Sequence, residues 1–331
     1  MRGRDSQATS RPYGSHRRYV RRMSARRPPA RDGIQPATAG AALPPALRTL
    51  PGATEAELHA RIERYLSWAG LVWGAGPNPP YRTSVAGFPV RLSPRRKAVA
   101  VVVPVAHDVR PEELTDAQAP ALAGAGGALL RLVPAVAGWN LVATTVVPAE
   151  PLHLVDLDHA VKTTVARAMA APALGGRPAR DGPPAALPPV RRDTGDPLLD
   201  PTKERDFQRV VASLEALDVP VDRYQWGPGI AHVASGPLLV RLDAGRSVPV
   251  LSIDLLLGGV DPAMATAANV RRLLSPPNAA GRLALRRGGD GLYLTRCAEV
   301  VFCETAHGNL RAVLADLYAA GPTTTPVVPP P

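Results

Sequence analysis

The segment from His153 to His159 holds the densest group of residues that could do chemistry. Its sequence, His-Leu-Val-Asp-Leu-Asp-His, places two imidazoles and the carboxylates of Asp156 and Asp158 within one short stretch. Imidazole and carboxylate groups are ligands that zinc accepts. Asp158 also stands where a helix N-cap is wanted, and a capping aspartate with exposed neighbours explains the same residues. We favour the helix cap and predict no metal site.

Other patterns typical of active sites are incomplete. The stretches 227–229 (Gly-Pro-Gly) and 74–76 (Gly-Ala-Gly) lack the strand-to-helix context and the Lys-Ser/Thr of a phosphate-binding loop, so turns are expected there. No serine lies in a nucleophile elbow. Cys297 and Cys303 have a spacing that matches neither a redox pair nor a zinc half-site, which favours two buried free thiols. The sequence therefore predicts a protein that is not an enzyme and needs no cofactor.

The elements that carry these residues occur twice along the chain. Val-Arg-Leu at 90–92 returns at 240–242, and the stretch 131–144 returns without a gap at 282–295. An offset that stays near 150 residues across helix, strand and turn signals predicts two copies of one domain.

Each copy is predicted to be an α+β unit with the order helix, three antiparallel strands, helix, two-strand hairpin, helix. The second copy shows this order most clearly. Its first helix carries an apolar stripe between Phe207 and Leu217, and its middle helix opens at Asp261-Pro262, an N-cap followed by proline at the first helical position. In the first copy, Pro120 interrupts the middle helix and makes it short or kinked.

Composition sets the expected boundaries. Residues 1–53, Arg-rich and then Ala/Pro-rich, are predicted to be a disordered tail. The two domains are assigned to 54–171 and 202–321, the Pro-rich stretch 172–201 to a linker, and 322–331 to a disordered Pro/Thr tail.

The charge of +11 is concentrated in the first 31 residues. These contain ten arginines and one acid, which leaves 29 of the 39 basic and 27 of the 28 acidic side chains for the rest of the chain. The arm could attract phosphate, so a nucleic-acid-associated regulatory protein is the alternative function. A solvated tail, or a start codon misassigned ahead of Met23, also explains the arm, and we favour these two explanations. The longest apolar run, 98–106, is too short to cross a bilayer, so no membrane partner and a cytoplasmic location are expected.

Several residues of the second copy carry a family resemblance. They are Asn269, Pro277-Asn278, Gly-Arg-Leu-Ala-Leu at 281–285, Leu-Tyr-Leu at 292–294, and Leu310 with Leu314. In this pattern the chain resembles the YbjN and type III secretion chaperone-like family. The resemblance implies a sheet with helices on one face, no catalysis, and binding of peptides or partly unfolded protein segments. Type III chaperones are usually acidic dimers of single domains, and a tandem pair could imitate that dimer.

The alternation of side chains along the strands indicates where a peptide would bind. If Val240, Leu242 and their apolar counterparts face the helices, a second set of side chains shares the opposite face of the sheet. That set contains Arg241, Ser252, Asp254, Tyr293 and Thr295, with Arg91 as a counterpart in the first copy. Tyr293 would be the anchor, although a solvated sheet surface explains the same pattern.

Two aromatic residues complete the list of candidates. Trp73 and Trp226 each begin a predicted Trp-Gly turn and are either lids of the core or exposed binding aromatics. Together these features predict a noncatalytic protein that binds a peptide or a partly unfolded protein segment.

Overall fold

The structure, a computed structural model, describes residues 54–319 with several gaps. The gaps are 77–80, 96–97, 137, 150–151, 173, 181, 192–206, 220, 222, 228–229, 244–249, 277–281, 289–290 and 303–305. Both predicted tails, residues 173, 181 and 192–201 of the predicted linker, and Cys303 therefore lie outside the described residues.

The first half begins with a helix, continues through four strands, and closes with a short helix, a hairpin and a long helix. The elements are α1 (Glu55–Trp68), β1 (Trp73–Ala75), β2 (Tyr81–Val85), β3 (Phe88–Arg95), β4 (Ala98–Val109), a 3-10 turn (Pro111–Glu113), α2 (Ala119–Ala123), β5 (Leu129–Ala135), β6 (Gly138–Pro148) and α3 (Leu154–Met169). A two-residue strand, β7 (Arg177–Pro178), follows α3.

The second half repeats this order. Its elements are α4 (Phe207–Glu215), β8 (Arg223–Gly227), β9 (Ile230–Ser235), β10 (Leu238–Asp243), β11 (Val250–Val260), a 3-10 turn (Pro262–Met264), α5 (Ala267–Leu274), β12 (Leu283–Gly288), β13 (Gly291–Val301) and α6 (Ala306–Ala319).

The two sheets have the same strand order. Neighbours run β1-β2-β3-β4-β6-β5 in the first half and β8-β9-β10-β11-β13-β12 in the second, and the pairs within each order are antiparallel. The predicted α+β class with antiparallel sheets is therefore confirmed.

Two details of the predicted order are wrong. Each half has four strands before its middle helix, because the Trp73 and Trp226 segments are edge strands and not turns. Trp73 pairs with Thr83 across β2, a nonlocal contact that a local glycine pattern does not reveal. The helix expected to open at Asp261 breaks after Met264 and restarts as α5, whose N-cap is Thr266.

The helices begin and end for local reasons. Thr54 and Glu57 form a capping box at the start of α1, and the helix buries Leu58, Ile62 and Leu66 on one face. The short α2 contains Pro120 and stops at Gly124, as the sequence suggests.

The two halves share buried surface. Five residues of the second half belong to the same cluster of buried side chains as the core of the first half, and α2 packs against α5. They are Ala267, Val270, Leu273, Leu274 and Leu283. The sequence pattern did not predict this shared core.

Candidate functional site

The polar segment 153–159 lies inside the molecule, so the expectation of a helix cap with exposed neighbours is wrong. His153, Asp156, Asp158 and His159 are all buried, and α3 already begins at Leu154. Backbone N–H of Leu157 donates to the carbonyl of His153, so Asp158 lies within the helix and is not its cap.

Asp158 is the centre of a buried polar network. Its carboxylate lies 2.6 Å from the Lys162 ammonium, one turn along α3. It also accepts bonds from the Tyr65 hydroxyl (3.4 Å) and the backbone N–H of Arg191 (2.9 Å). Burial and the nearby Asp158 charge raise the pKa of Tyr65 well above its ordinary value. The network ties the segment that follows α3 to the core of the first half.

The other two polar residues join the halves. His159 Nε2 lies 3.2 Å from the carboxylate of Glu299 on β13, and the Asp156 carboxylate accepts the backbone N–H of Val301 at 3.0 Å. Among the described residues, no group of His, Cys, Asp and Glu has an arrangement that could hold a metal ion. The segment is thus an interface between the halves.

The predicted binding face exists as a set of neighbours but is only partly open. The register places Arg241 opposite Ser252 and Asp254 opposite Cys297. Asp254 is only 4% exposed and Thr295 is completely buried, so their assignment to an open surface is wrong. The first half covers part of this face, because Leu129 packs against Ala284 and Cys297.

Burial changes the chemistry of two groups on that face. It raises the pKa of Asp254, whose carboxylate lies 2.8 Å from Nε of Arg286. It raises the pKa of the Cys297 thiol to about 11, so the thiol is not a nucleophile at neutral pH. The predicted burial of this free cysteine is confirmed.

The remaining predicted site residues are spread over both sheets, although Arg241 and Ser252 are cross-strand neighbours. Arg241, with 42% of its side chain exposed, Ser252 and Tyr293 are partly accessible, and Arg91 is exposed on the other sheet. The Trp73 ring packs on Tyr81 with 5.4 Å between centroids, so it lies at the edge of the core. Trp226 lies in β8, and its side chain is outside the described residues. The structure does not bring these residues together into one pocket.

A feature that the sequence did not reveal is the segment around β7 (Arg177–Pro178), which lies across the first half and which we call the strap. After α3 the chain turns back and pairs with β4, with Pro178 opposite Ala106 and Arg177 opposite His107 in an antiparallel register. The Ala179 N–H donates to the Val105 carbonyl (3.0 Å), and the Arg110 N–H donates to the Leu174 carbonyl (3.3 Å). The strap is therefore a strand added to the part of β4 that extends beyond β3.

The corresponding edge of the second half carries no such strand in the described part of the chain. β11 extends beyond β10, which pairs with it as far as Leu255. The register shift of β11 falls at the same place as the first of two shifts in β4, and the second β4 shift, between Ala106 and Val109, has no counterpart in β11. By this alignment Leu257 corresponds to Val105, and Gly258 and Gly259 correspond to Ala106 and His107. We call the stretch from Leu257 to Val260 the β11 edge.

The β11 edge has the geometry to accept a strand. Backbone groups of a strand point alternately to its two neighbours. Counted from the bulge, the carbonyl of Leu257 and the N–H and carbonyl of Gly259 point away from β13. The carbonyl of Val105 and the N–H and carbonyl of His107 point towards the strap in the same way. A Cβ placed on Gly258 or Gly259 would meet no atom within 4 Å, so the sheet faces at these two glycines are open among the described residues.

A groove of about 900 Å³ lies near this end of the second sheet. It is formed by residues of both halves, with mostly small side chains and two arginines on β12. Its lining includes Pro120, Gly124, Pro262, Leu285, Arg286, Arg287 and Leu292. Within it the Ala125 N–H donates to the Leu285 carbonyl on the outer edge of β12. The first half thus already occupies part of the β12 edge.

No helix in the described part of the chain is long and apolar enough to cross a membrane. Comparison of the chain with protein-family models, with curated proteins and with solved structures finds no match.

Proposed function

We propose that this protein is a noncatalytic, chaperone-like binder of extended polypeptide segments, and that it captures them by antiparallel strand addition to the β11 edge. This function is in keeping with the resemblance to the YbjN and type III secretion chaperone-like family.

One observation carries the proposal. The fold adds an extended segment to β4 within its own first half, and the equivalent edge of β11 has no such partner among the described residues. The strap is thus an internal example of the complex that the second half would form.

The energetics of strand addition suit this edge. Unpaired backbone groups on an edge strand are a template for another chain, and main-chain hydrogen bonds supply affinity without requiring a particular sequence. Each such bond contributes about 1 kcal/mol net. Two or three of them contribute about 2 to 3 kcal/mol, so most of the affinity must come from side-chain contacts.

Tyr293 is the best candidate for a side-chain contact. It is the cross-strand partner of Gly259 on β13 and is partly accessible, so it could contact a side chain held at the β11 edge. Arg241 pairs with Ser252 at the opposite end of β11 and would lie outside such a complex.

The test uses a peptide with the sequence of the strap, residues 172–180, labelled for fluorescence anisotropy and added to the full chain. We expect saturable binding of one peptide per chain, because the strap already fills the first edge. Gly259→Pro removes an outward N–H and should weaken binding at least about tenfold. Tyr293→Ala should also weaken it, and Arg241→Ala is the matched surface control.

The results for these variants distinguish a binding site at the β11 edge from one on the sheet face. Normal binding by Gly259→Pro together with weak binding by Arg241→Ala would place the site on the face and refute the edge. Turnover of a small molecule by the purified chain would refute the noncatalytic function.

A further inference from the structure

We infer that the β11 edge selects segments built around a single proline whose two neighbours retain their backbone N–H groups. This inference rests on the proposed function and adds the chemistry of the partner.

The strap shows why a proline fits at the centre of the added strand. In Arg177-Pro178-Ala179, Ala179 directs its N–H to the Val105 carbonyl. Backbone groups alternate in direction along an antiparallel strand, so the nitrogen of Pro178 points away from β4. A proline at that position therefore loses no hydrogen bond, as is usual for proline at a sheet edge.

Proline also prepares the segment for binding. Its ring fixes φ near −65°, and it biases the residue before it towards extended conformations. A segment that is already extended loses less conformational entropy on binding. A proline at either neighbouring position would instead remove an N–H that the edge requires.

The two edges differ in where they place their glycines. In the first half the strap carries Gly176, with φ of +74°, because a Cβ there would overlap the carbonyl oxygen of His107. In the second half the glycines stand on the strand, as Gly258 and Gly259, with open space beside them. The open face beside Gly258 leaves room for a proline ring or a larger side chain on a partner residue opposite it.

The test moves the proline along one peptide. The strap peptide 172–180 is compared with versions that carry Pro178→Ala alone or combined with Ala179→Pro or Arg177→Pro, each titrated against the full chain. Pro178→Ala should weaken binding about two- to fivefold through lost stiffness. Each displaced proline should weaken it about tenfold or more, because a main-chain donor is lost and the ring meets the edge.

A second sequence tests the pattern independently of the strap. A synthetic peptide of residues 323–331 contains the triplet Thr325-Pro326-Val327, with the same placement of proline. We expect it to bind, and its Val327→Pro version to bind at least about tenfold more weakly.

The two levels of the proposal fail differently. If all proline positions bind equally well and Gly259→Pro still abolishes binding, the selection is refuted and strand addition stands. If neither peptide binds the full chain, the proposed function itself is refuted.

Discussion

Replacing Gly176 by alanine should open the strap more often and give a second peptide access to the edge of β4. Gly176 has φ of +74°, which an alanine adopts at a cost of about 1 kcal/mol. The new Cβ would also overlap the His107 carbonyl oxygen and lie 3.0 Å from the backbone nitrogen of Val109. Both neighbours are backbone atoms, so relief requires the strap to move, at a further cost of about 2 kcal/mol.

Gly182 provides a matched control in the same segment. Its φ is +78°, but a Cβ there would meet nothing within 4 Å. Gly182→Ala therefore carries the conformational cost alone. The difference of about 2 kcal/mol corresponds to roughly 30-fold more frequent opening of the strap in Gly176→Ala.

The assay has two readouts. Hydrogen exchange measured by mass spectrometry should show faster exchange at Ala179 and Arg110 in Gly176→Ala, because their N–H groups hold the strap to β4. The fraction of chains that bind a second strap peptide should be larger for Gly176→Ala than for Gly182→Ala. If Gly176→Ala exchanges like Gly182→Ala and binds a single peptide, the strap is not a removable added strand and the comparison between the two halves fails.

The remaining predictions concern stability, reactivity and the arginine arm. Leu314→Asp should unfold the second half, because a buried unpaired carboxylate costs several kcal/mol, whereas Leu239→Asp at a partly exposed position should leave the melting temperature nearly unchanged. Burial raises the pKa of Asp254, so its contribution to stability is complete below the ordinary aspartate pKa and is lost as the pH rises through the raised value. Urea melts of wild type and Asp254→Asn across the acidic range should show that pH dependence only in the wild type. Cys297 should react with a thiol reagent only after denaturation, because its pKa is about 11 and it is buried. Any affinity for DNA should require residues 1–31 and fall about a thousandfold between 50 and 200 mM salt, and tight binding by a chain that starts at Ala53 would contradict this.

The internal repeat was the feature of the fold that could best be predicted from the sequence. Periodic apolar positions and the near-constant offset predicted an α+β unit that occurs twice, and the two sheets share one strand order. The short strands at Trp73 and Trp226 were missed because their pairing is set by a partner strand and leaves little local pattern.

The candidate site was harder to predict because its key contacts are nonlocal. Alternation placed Asp254 and Thr295 on the correct face, but it could not show that the first half packs over part of that face. The Pro-rich stretch after α3 looked like a linker, yet Leu174 is buried and Arg177-Pro178 pair with β4. A proline that faces away from a sheet edge has the same local signature as a proline in a linker.

Hydrogen exchange at the amide of Gly259, measured by NMR with and without the strap peptide, tests the central claim most directly. Alternation along β11 turns this N–H outward, so it should exchange rapidly in the free chain. We predict that saturating peptide slows its exchange by at least about tenfold, while the amide of Arg241 is unaffected. An unchanged rate at Gly259 in a sample that demonstrably binds the peptide would contradict strand addition at the β11 edge.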